Sequence, residues 1–297
     1  MTGNGYQDQT DIEYRRIRYR QVPQLKFHLH DGFEIFFLIS GDVKYLIEKR
    51  VYMARPGDIF ITNHQELHRV FLQSDATYER ITIIFKPAAI QAFNIYRFDL
   101  LHCFLQRPKG EYNRIVLDDW QRDEVRAYFD RIEQVDLRRS PESELLKTTC
   151  FIELLVWLNK IFQANQPDDE SPQIPGKLFA ILSYIETHLQ QELSLASLAK
   201  HFYFDKFYLS KLFKKHFGSS VYEYIVCKRV SKAKSLIMEG FNLTETSHLC
   251  GFTDYSSFFR MFKKHMGISP AQYKKMANAA INGAADSGPR DRVTPKT

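Results

Sequence analysis

The chain has 297 residues, enough for two domains with separate cores, and its 44% hydrophobic and 26% charged content excludes a disordered or fibrous protein. Its four cysteines, Cys103, Cys150, Cys227 and Cys250, form no Cys-x-x-Cys pair; this excludes a disulfide frame or zinc ribbon and predicts reduced thiols in a cytosolic protein. Residues 1–176 carry a net charge of −3, residues 177–276 a net +8 and the remainder +1, which suits either a polyanion partner for the basic segment or well-solvated lysine-rich helices.

The polar start, Thr2 to Gln9, carries no secretory signal. The longest apolar stretch, Phe151 to Phe162, is interrupted by Glu153 and Asn159 and is too short to span a bilayer. A cytoplasmic protein without membrane contact is therefore expected. From Phe27 to Phe85 the sequence predicts short strands: His28–His30, Phe33–Ile39 and Val43–Ile47 are β-rich runs, separated by Asp31-Gly32 and Ser40-Gly41-Asp42. Further turns are marked by Pro56-Gly57-Asp58 and Asn63-His64-Gln65, and strands at this spacing predict a small barrel or sandwich.

After Asp118-Asp119, which can cap a helix, Val125, Tyr128, Phe129, Ile132 and Val135 recur at amphipathic spacing. A second helix is predicted from Pro141 to about Ala164, with two apolar stripes: Leu146, Cys150, Leu154, Trp157 and Ile161, and Phe151, Leu155, Leu158 and Phe162. A helix apolar on two sides needs two partners. The barrel supplies one, and either a second subunit or another part of the same chain supplies the other. In the homodimer version, Trp157 and Leu158 face the partner subunit. Gln166–Gly176, with Pro167, Pro172, Pro175 and Asp168-Asp169-Glu170, predicts a linker, and a Gly- and Ala-rich tail predicts disorder. The domain boundaries that follow are 1–165, linker 166–176, a basic domain 177–276 and a tail 277–297.

The basic domain contains an internal repeat. Phe213-Lys214-Lys215-His216-Phe217-Gly218 returns 49 residues later as Phe262-Lys263-Lys264-His265-Met266-Gly267, and Tyr224 and Tyr273 keep the same offset. Each copy predicts a short helix, a turn and a second helix. In the first, the short helix is Ser194–His201 and the second starts after Asp205; in the second, the turn is Gly251-Phe252 and the second helix starts after Thr253 or Asp254. Leu209, Leu212 and Phe213 fall on one face, leaving Phe207, Ser210, Lys211 and Lys214 as an outward stripe that the offset carries onto Ser256, Phe259, Arg260 and Lys263. Small polar, cationic and aromatic side chains suit base edges and thymine methyls, and terminal lysines suit phosphates. Ser220-x-x-Glu223 opens a helix through Lys228, Arg229, Lys232 and Lys234 to about Met238. That rod, roughly 28 Å long, could hold two such helices in adjacent major grooves roughly 34 Å apart. Ser269-Pro270 caps a closing helix.

Residues 178–276 resemble the DNA-binding domain of AraC-type transcriptional regulators. The resemblance is carried by Gly251-Phe252-Thr253-Asp254, Phe258-Phe259-Arg260-Met261-Phe262-Lys263-Lys264 and Gly267-Ile268-Ser269-Pro270-Ala271-Gln272-Tyr273. It implies that each recognition helix enters a major groove. The base-reading positions it implies are Phe207, Ser210 and Lys211, then Tyr255, Ser256, Phe259 and Arg260. Lys206, Lys214, Lys215, Lys263 and Lys264 complete the expected DNA-binding set. Thr246-Ser247 stands where the family usually has Ile-Ala, which predicts a less tightly packed second unit.

His28-x-His30-x3-Glu34-x6-Gly41 resembles the first cupin motif, and Pro56-Gly57-Asp58 followed by His68 a reduced second one. Residues two apart on a strand share a face, so His28 and His30 could converge with Glu34 and His68. Such a set suits a metal ion, or hydrogen bonds to a polyol or to one another. The family resemblance favours a metal-free sensor, and no cofactor is expected. Tyr78-x-Arg80-x-Thr82 alternates on a later strand toward the same cavity; Arg80 suits a carboxylate or hydroxyl-rich ligand, or a structural role at the barrel mouth. The expected ligand-binding residues are therefore His28, His30, Glu34, His68, Tyr78 and Arg80.

The expected fold is a multidomain α+β protein: a cupin-like β-barrel with two helices for sensing and dimerisation, then an all-α domain with two helix-turn-helix units. The expected function is sequence-specific regulation of transcription, as an activator responding to a small polar metabolite such as a sugar. Its partners would be double-stranded DNA, the effector, RNA polymerase and a second copy of the chain. The alternatives are a metal-dependent cupin enzyme carrying a DNA-binding domain, and an architectural or RNA-binding protein.

Overall fold

The computed structural model describes residues 12–19, 27, 31–74, 76–96, 98–138, 140–164 and 174–285. Strands β1 (Ile12–Tyr19), β2 (Phe33–Ser40), β3 (Val43–Ile47), β4 (Arg50–Ala54), β5 (Ile59–Thr62), β6 (His68–Leu72), β7 (Tyr78–Phe85) and β8 (Arg114–Ile115) form two sheets. The larger has the order β1-β7-β2-β5-β8 and the smaller β4-β3-β6, with antiparallel pairing throughout. Strand β1, absent from the sequence reading, is polar along much of its length and pairs with β7 from Ile12 opposite Phe85 to Tyr19 opposite Tyr78.

Central strand β2 is apolar on both faces because both are buried. Phe36 and Leu38 pack with Tyr45, Phe60, Val70 and Tyr78 between the sheets. Phe33, Ile35 and Phe37 face helices α1 (His102–Leu105), α2 (Asp119–Asp136) and α3 (Pro141–Ala164). Phe37 stacks on Phe129 at 4.9 Å and Phe85 meets Phe151 edge-on at 4.8 Å. Asp118 caps α2 through a reciprocal bond pair with Gln121. The expected partner-facing stripe of α3 is corrected here: Trp157 and Leu158 are buried within the chain, and the Trp157 indole N–H donates to Glu124 of α2 at 2.6 Å. Asn159, the polar interruption of the apolar run, accepts from the Cys103 amide and donates to the carbonyls of Leu100 and Leu155, tying α1 to α3. All four cysteines are free and buried.

The second half is helical: α4 (Gly176–Thr187), α5 (Leu195–His201), α6 (Lys206–Phe217), α7 (Val221–Met238), α8 (Leu243–Leu249), α9 (Tyr255–Met266) and α10 (Pro270–Ala285). Helix α10 takes in residues 277–285, read from the sequence as disordered tail; their alanines favour a helix once Pro270 has started it. Ile174, inside the expected linker, is buried with α4. Thr246 and Ser247 are fully buried, and each hydroxyl donates back to a helical carbonyl at 2.7 Å, so the looser second unit expected from them does not follow.

The two halves share a core. Phe27, Leu46 and Leu67 of the first pack with Leu178, Leu182, Phe217, Tyr224 and Ile225 of the second. Across the same seam the Lys228 ammonium, in the middle of α7, is ion-paired to Glu48 and to Glu186 of α4, the latter at 2.7 Å. Burial alone would favour the neutral amine, but the two carboxylates hold Lys228 above the ordinary lysine value. Arg69 of β6 donates to the Phe217 carbonyl at the end of α6, and Ser231 and Lys234 of α7 donate to the carbonyls of Gln65 and His64. Removing one partner of a buried ion pair leaves a charge without compensation. Because Glu186 would still compensate Lys228 in Glu48→Ala, the double variant Glu48→Ala, Glu186→Ala is the one expected to cost about 3–5 kcal/mol in urea unfolding of the full chain, and a loss below about 1 kcal/mol would match an exposed pair instead.

Candidate nucleic-acid interface and sensor cavity

The repeat is obeyed in three dimensions. Helices α6 and α9 are each 12 residues long and begin and end at positions 49 apart. Asp205 and Asp254 cap them by accepting the backbone N–H of Tyr208 and Ser257, and Gly218 and Gly267 end them in the left-handed conformation. Leu209 and Phe213 of α6, and Phe258 and Phe262 of α9, are fully buried, which turns the opposite faces outward. All twelve expected DNA-binding residues are exposed: Lys206, Phe207, Ser210, Lys211, Lys214 and Lys215 on α6, and Tyr255, Ser256, Phe259, Arg260, Lys263 and Lys264 on α9. Phe207 is 82% exposed, a large apolar ring left in water at the start of the helix. Arg260 donates to the Ser257 hydroxyl at 3.2 Å, and Ser257 is held by Asp254, so the cap also steadies the arginine.

Helix α7, 18 residues, joins the two units and is about 27 Å long at 1.5 Å per residue. Its basic residues point elsewhere than the sequence suggested. Lys228 and Lys234 are buried against the sheet domain, and Arg229 donates to the carbonyls of Leu189 and Gln191. Part of the positive charge of the basic domain thus holds the molecule together, and the outward charge is concentrated on α6 and α9.

Between the sheets, Arg15 and Ile17 of β1, Glu34 of β2, His68 and Val70 of β6, and Arg80, Thr82 and Ile84 of β7 line a cavity of about 140 Å³. The structure brings Glu34, His68 and Arg80 together as expected, with Tyr78 buried beside Arg80. The expected residues His28 and His30 lie outside the described residues. His68 Nε2 is 3.4 Å from Glu34, and its Nδ1 is 3.0 Å from the Glu66 carbonyl. Burial pulls the imidazole toward its neutral form, but Glu34 and that carbonyl outweigh it and raise the pKa. Among the described residues, no three His, Cys, Asp or Glu side chains group as a metal site. Arg15, Ile17, Val70 and Ile84 are not among the residues expected from sequence, because β1 carries no clear strand signal and nothing local shows which residues a sheet brings opposite one another.

A family model described as AraC-like ligand binding domain matches residues 11–134, and one described as helix-turn-helix domain matches residues 198–276. The chain is 26% identical over 260 residues, 87% of its length, to an uncharacterized HTH-type transcriptional regulator of Staphylococcus aureus, 33% of which is covered. It is 37% identical over 93 residues to the probable transcriptional regulator LumQ of Photobacterium leiognathi, covering 31% of this chain and 38% of that one. The chain thus spans about a third of the length of the curated relatives it matches. Among solved structures, a protein of unknown function from Listeria innocua is 36% identical over 33% of this chain and 95% of its own, with a TM-score of 0.32. No helix among the described residues is long and apolar enough to cross a membrane.

The two turns, residues 202–205 and 250–254, differ in length by one residue and in the residue that takes the left-handed conformation. Gly251 takes a left-handed φ of 82° between α8 and α9, whereas Tyr203 takes φ 56° between α5 and α6 and is 97% exposed. A side chain in that region costs about 1–2 kcal/mol, and a glycine there gives back about 0.5–1 kcal/mol through its freer unfolded chain. Tyr203→Gly should therefore raise the unfolding free energy by about 0.5–1 kcal/mol in urea titration. A fall in stability would show that the exposed ring contributes contacts that outweigh the strain.

Proposed function

We propose that the chain is an AraC-type regulator that binds DNA and activates transcription in response to a small polar metabolite held between its sheets, a reading supported by the AraC-like ligand binding domain model over residues 11–134 and the helix-turn-helix domain model over residues 198–276. The observation that carries this reading is the pair of outward faces on α6 and α9, alike in cap, length and offset, each mixing aromatic, hydroxyl and cationic side chains. Base edges are read by short polar and bidentate cationic groups, and phosphates by lysines at the flanks. The matched models describe ligand binding and a helix-turn-helix rather than catalysis, which supports the regulator over a metal-dependent cupin enzyme. Double-stranded DNA, a small effector and RNA polymerase are its partners in this reading, and the cytoplasm is its place.

We take the active form to be a homodimer. With Trp157 and Leu158 used inside the chain, the end of α2 and the start of α3 still expose Leu137, Leu145 and Leu146, at 76%, 66% and 42%, among other exposed apolar side chains such as Trp120 and Leu105. Exposed leucines on the two neighbouring helix ends support a protein contact there.

Two experiments test these assignments. Lys211→Ala and Arg260→Ala should each cost about 1–3 kcal/mol at the specific site and relax preference at particular bases. Lys214→Ala and Lys263→Ala should weaken binding to every sequence and flatten its salt dependence. Equal losses on specific and non-specific DNA for all four would remove the division between reading and phosphate positions. For the dimer, sedimentation of the full chain should show a dimer that Leu145→Glu with Leu146→Glu converts to monomer, with binding to a paired site weakened at least about tenfold. A wild-type chain that stays monomeric at about 100 µM would sink the dimer, since that concentration drives any pair with micromolar affinity together.

A further inference from the structure

We propose that the metabolite held between the sheets is a small carboxylate anchored by the Arg80 guanidinium, an inference that rests on reading this cavity as the effector site. Of the charged groups around the cavity, Glu34 and Arg15 have close partners. Glu34 faces His68 at 3.4 Å, and Arg15 pairs with Glu13 at the open edge of β1. Arg80 has no carboxylate partner among the described residues. Its guanidinium lies 5.5 Å from the ring centre of Phe36 and 6.0 Å from that of Tyr78, and its buried Nε has no hydrogen-bond partner.

A ring face attracts a guanidinium but leaves its N–H fork unfilled, whereas a carboxylate fits that fork with two parallel bonds. The fully buried Tyr45 hydroxyl, close enough to feel the charges of Glu34 and Arg80, also lacks a hydrogen-bond partner among the described residues. Buried polar groups in native proteins find partners, so these donors are arranged for an acceptor. A sugar is the poorer fit, because a polyol offers donors as well as acceptors. Glu34, the one carboxylate among the described lining residues, already faces His68.

Size and wall chemistry narrow the class further. A cavity of about 140 Å³ equals the share of four to five water molecules at about 30 Å³ each. Ile17, Val70 and Ile84 give it an apolar wall, and Thr82 adds one hydroxyl. Those features describe a short acid: the carboxylate on Arg80, a two- or three-carbon body against the wall, and an optional hydroxyl or oxo group toward Thr82.

Isothermal titration of the full chain tests this with propionate, lactate and pyruvate against lactamide, glycerol and arabinose. At least one acid should bind with Kd below about 1 mM, and lactamide, the near-isostere in which a neutral NH2 donor replaces one carboxylate oxygen, at least about tenfold more weakly. Arg80→Met should weaken the acid at least about tenfold and Arg80→Lys, which keeps the charge but not the fork, by less. Thr82→Phe, which fills the cavity, should abolish binding; melting curves and retained DNA binding verify that each variant is folded. Failure of all three acids to bind at about 10 mM, or tighter binding of a polyol than of any acid, overturns the carboxylate assignment. If that polyol is lost in Thr82→Phe, the cavity remains the effector site and only the ligand class falls. Acid binding unchanged in both Arg80→Met and Thr82→Phe would place the ligand elsewhere and overturn both readings.

Discussion

The ammonium of Lys228 is the constraint on which the arrangement of the molecule rests. A lysine in the middle of the helix that links the two DNA-reading units is buried, and burying an unpaired ammonium carries a penalty of several kcal/mol. Its carboxylate partners come from different domains: Glu48 from the β3–β4 turn and Glu186 from α4. Glu48 is itself shaped for the task. It takes a left-handed φ of 51° at the tip of the turn, accepts the Leu67 amide, and is held below the usual carboxylate range against the pull of burial by Lys228 and Lys109. Undocking the domains would separate Lys228 from Glu48, so the charge network and the shared apolar seam favour the same docked state.

Strand β6 connects this seam to the cavity. Successive residues of a strand point to opposite faces, and here His68 and Val70 line the cavity while Arg69 reaches the Phe217 carbonyl at the end of α6. The Arg69 guanidinium also packs on the rings of Phe27 and Phe71, and a Cβ at Gly218 would come within 2.6 Å of it. Glycine at that position therefore serves two needs, the left-handed turn that ends α6 and the close approach of the arginine. A displacement of β6 moves a cavity residue and a contact of the recognition helix together. On the proposed reading, an effector in the cavity and DNA on α6 would be linked by this strand alone.

Local features of the fold were legible in the sequence, and contacts between distant segments were not. The caps at Asp205, Asp254 and Ser220, the 49-residue offset and the buried faces of α6 and α9 depend on residues within a few positions of each other. The pairing of Glu34 with His68 was legible for a similar reason, since two motifs of known register supplied it. Strand β1 was missed because Arg15, Arg16 and Arg18 interrupt its apolar alternation; Arg16 instead pairs with Glu79 and Glu133 across the sheet edge. The charge count of the basic domain misled for Lys228 and Lys234, because a lysine's composition says nothing of whether phosphate or carboxylate faces it. The same limit applies to α3: two apolar stripes announce two partners, and only the tertiary structure shows α2 and the sheet taking Trp157 and Leu158.

The two reading units are held unequally, and this follows from which core each one belongs to. The first unit, α5 and α6, shares its core with the sheet domain through Phe27, Leu46 and Leu67. The second has a core of its own, built from Val230, Ala233 and Ile237 of α7 with Phe252, Phe258, Phe262 and Tyr273. One helix therefore supplies both cores, with Val221, Tyr224 and Ile225 toward the first and Val230 onward toward the second. Cavities in a close-packed core are costly, so neither unit can slide along α7 without losing contacts. The spacing of the two outward faces is then a property of α7 itself, about 27 Å of helix, and rigid on the scale of one DNA turn of about 34 Å. On the proposed reading, an effector bound between the sheets would act through Glu48 and Arg69 first on the unit that shares the sheet domain's core. Its action would reach the second unit only by moving α7 as a whole.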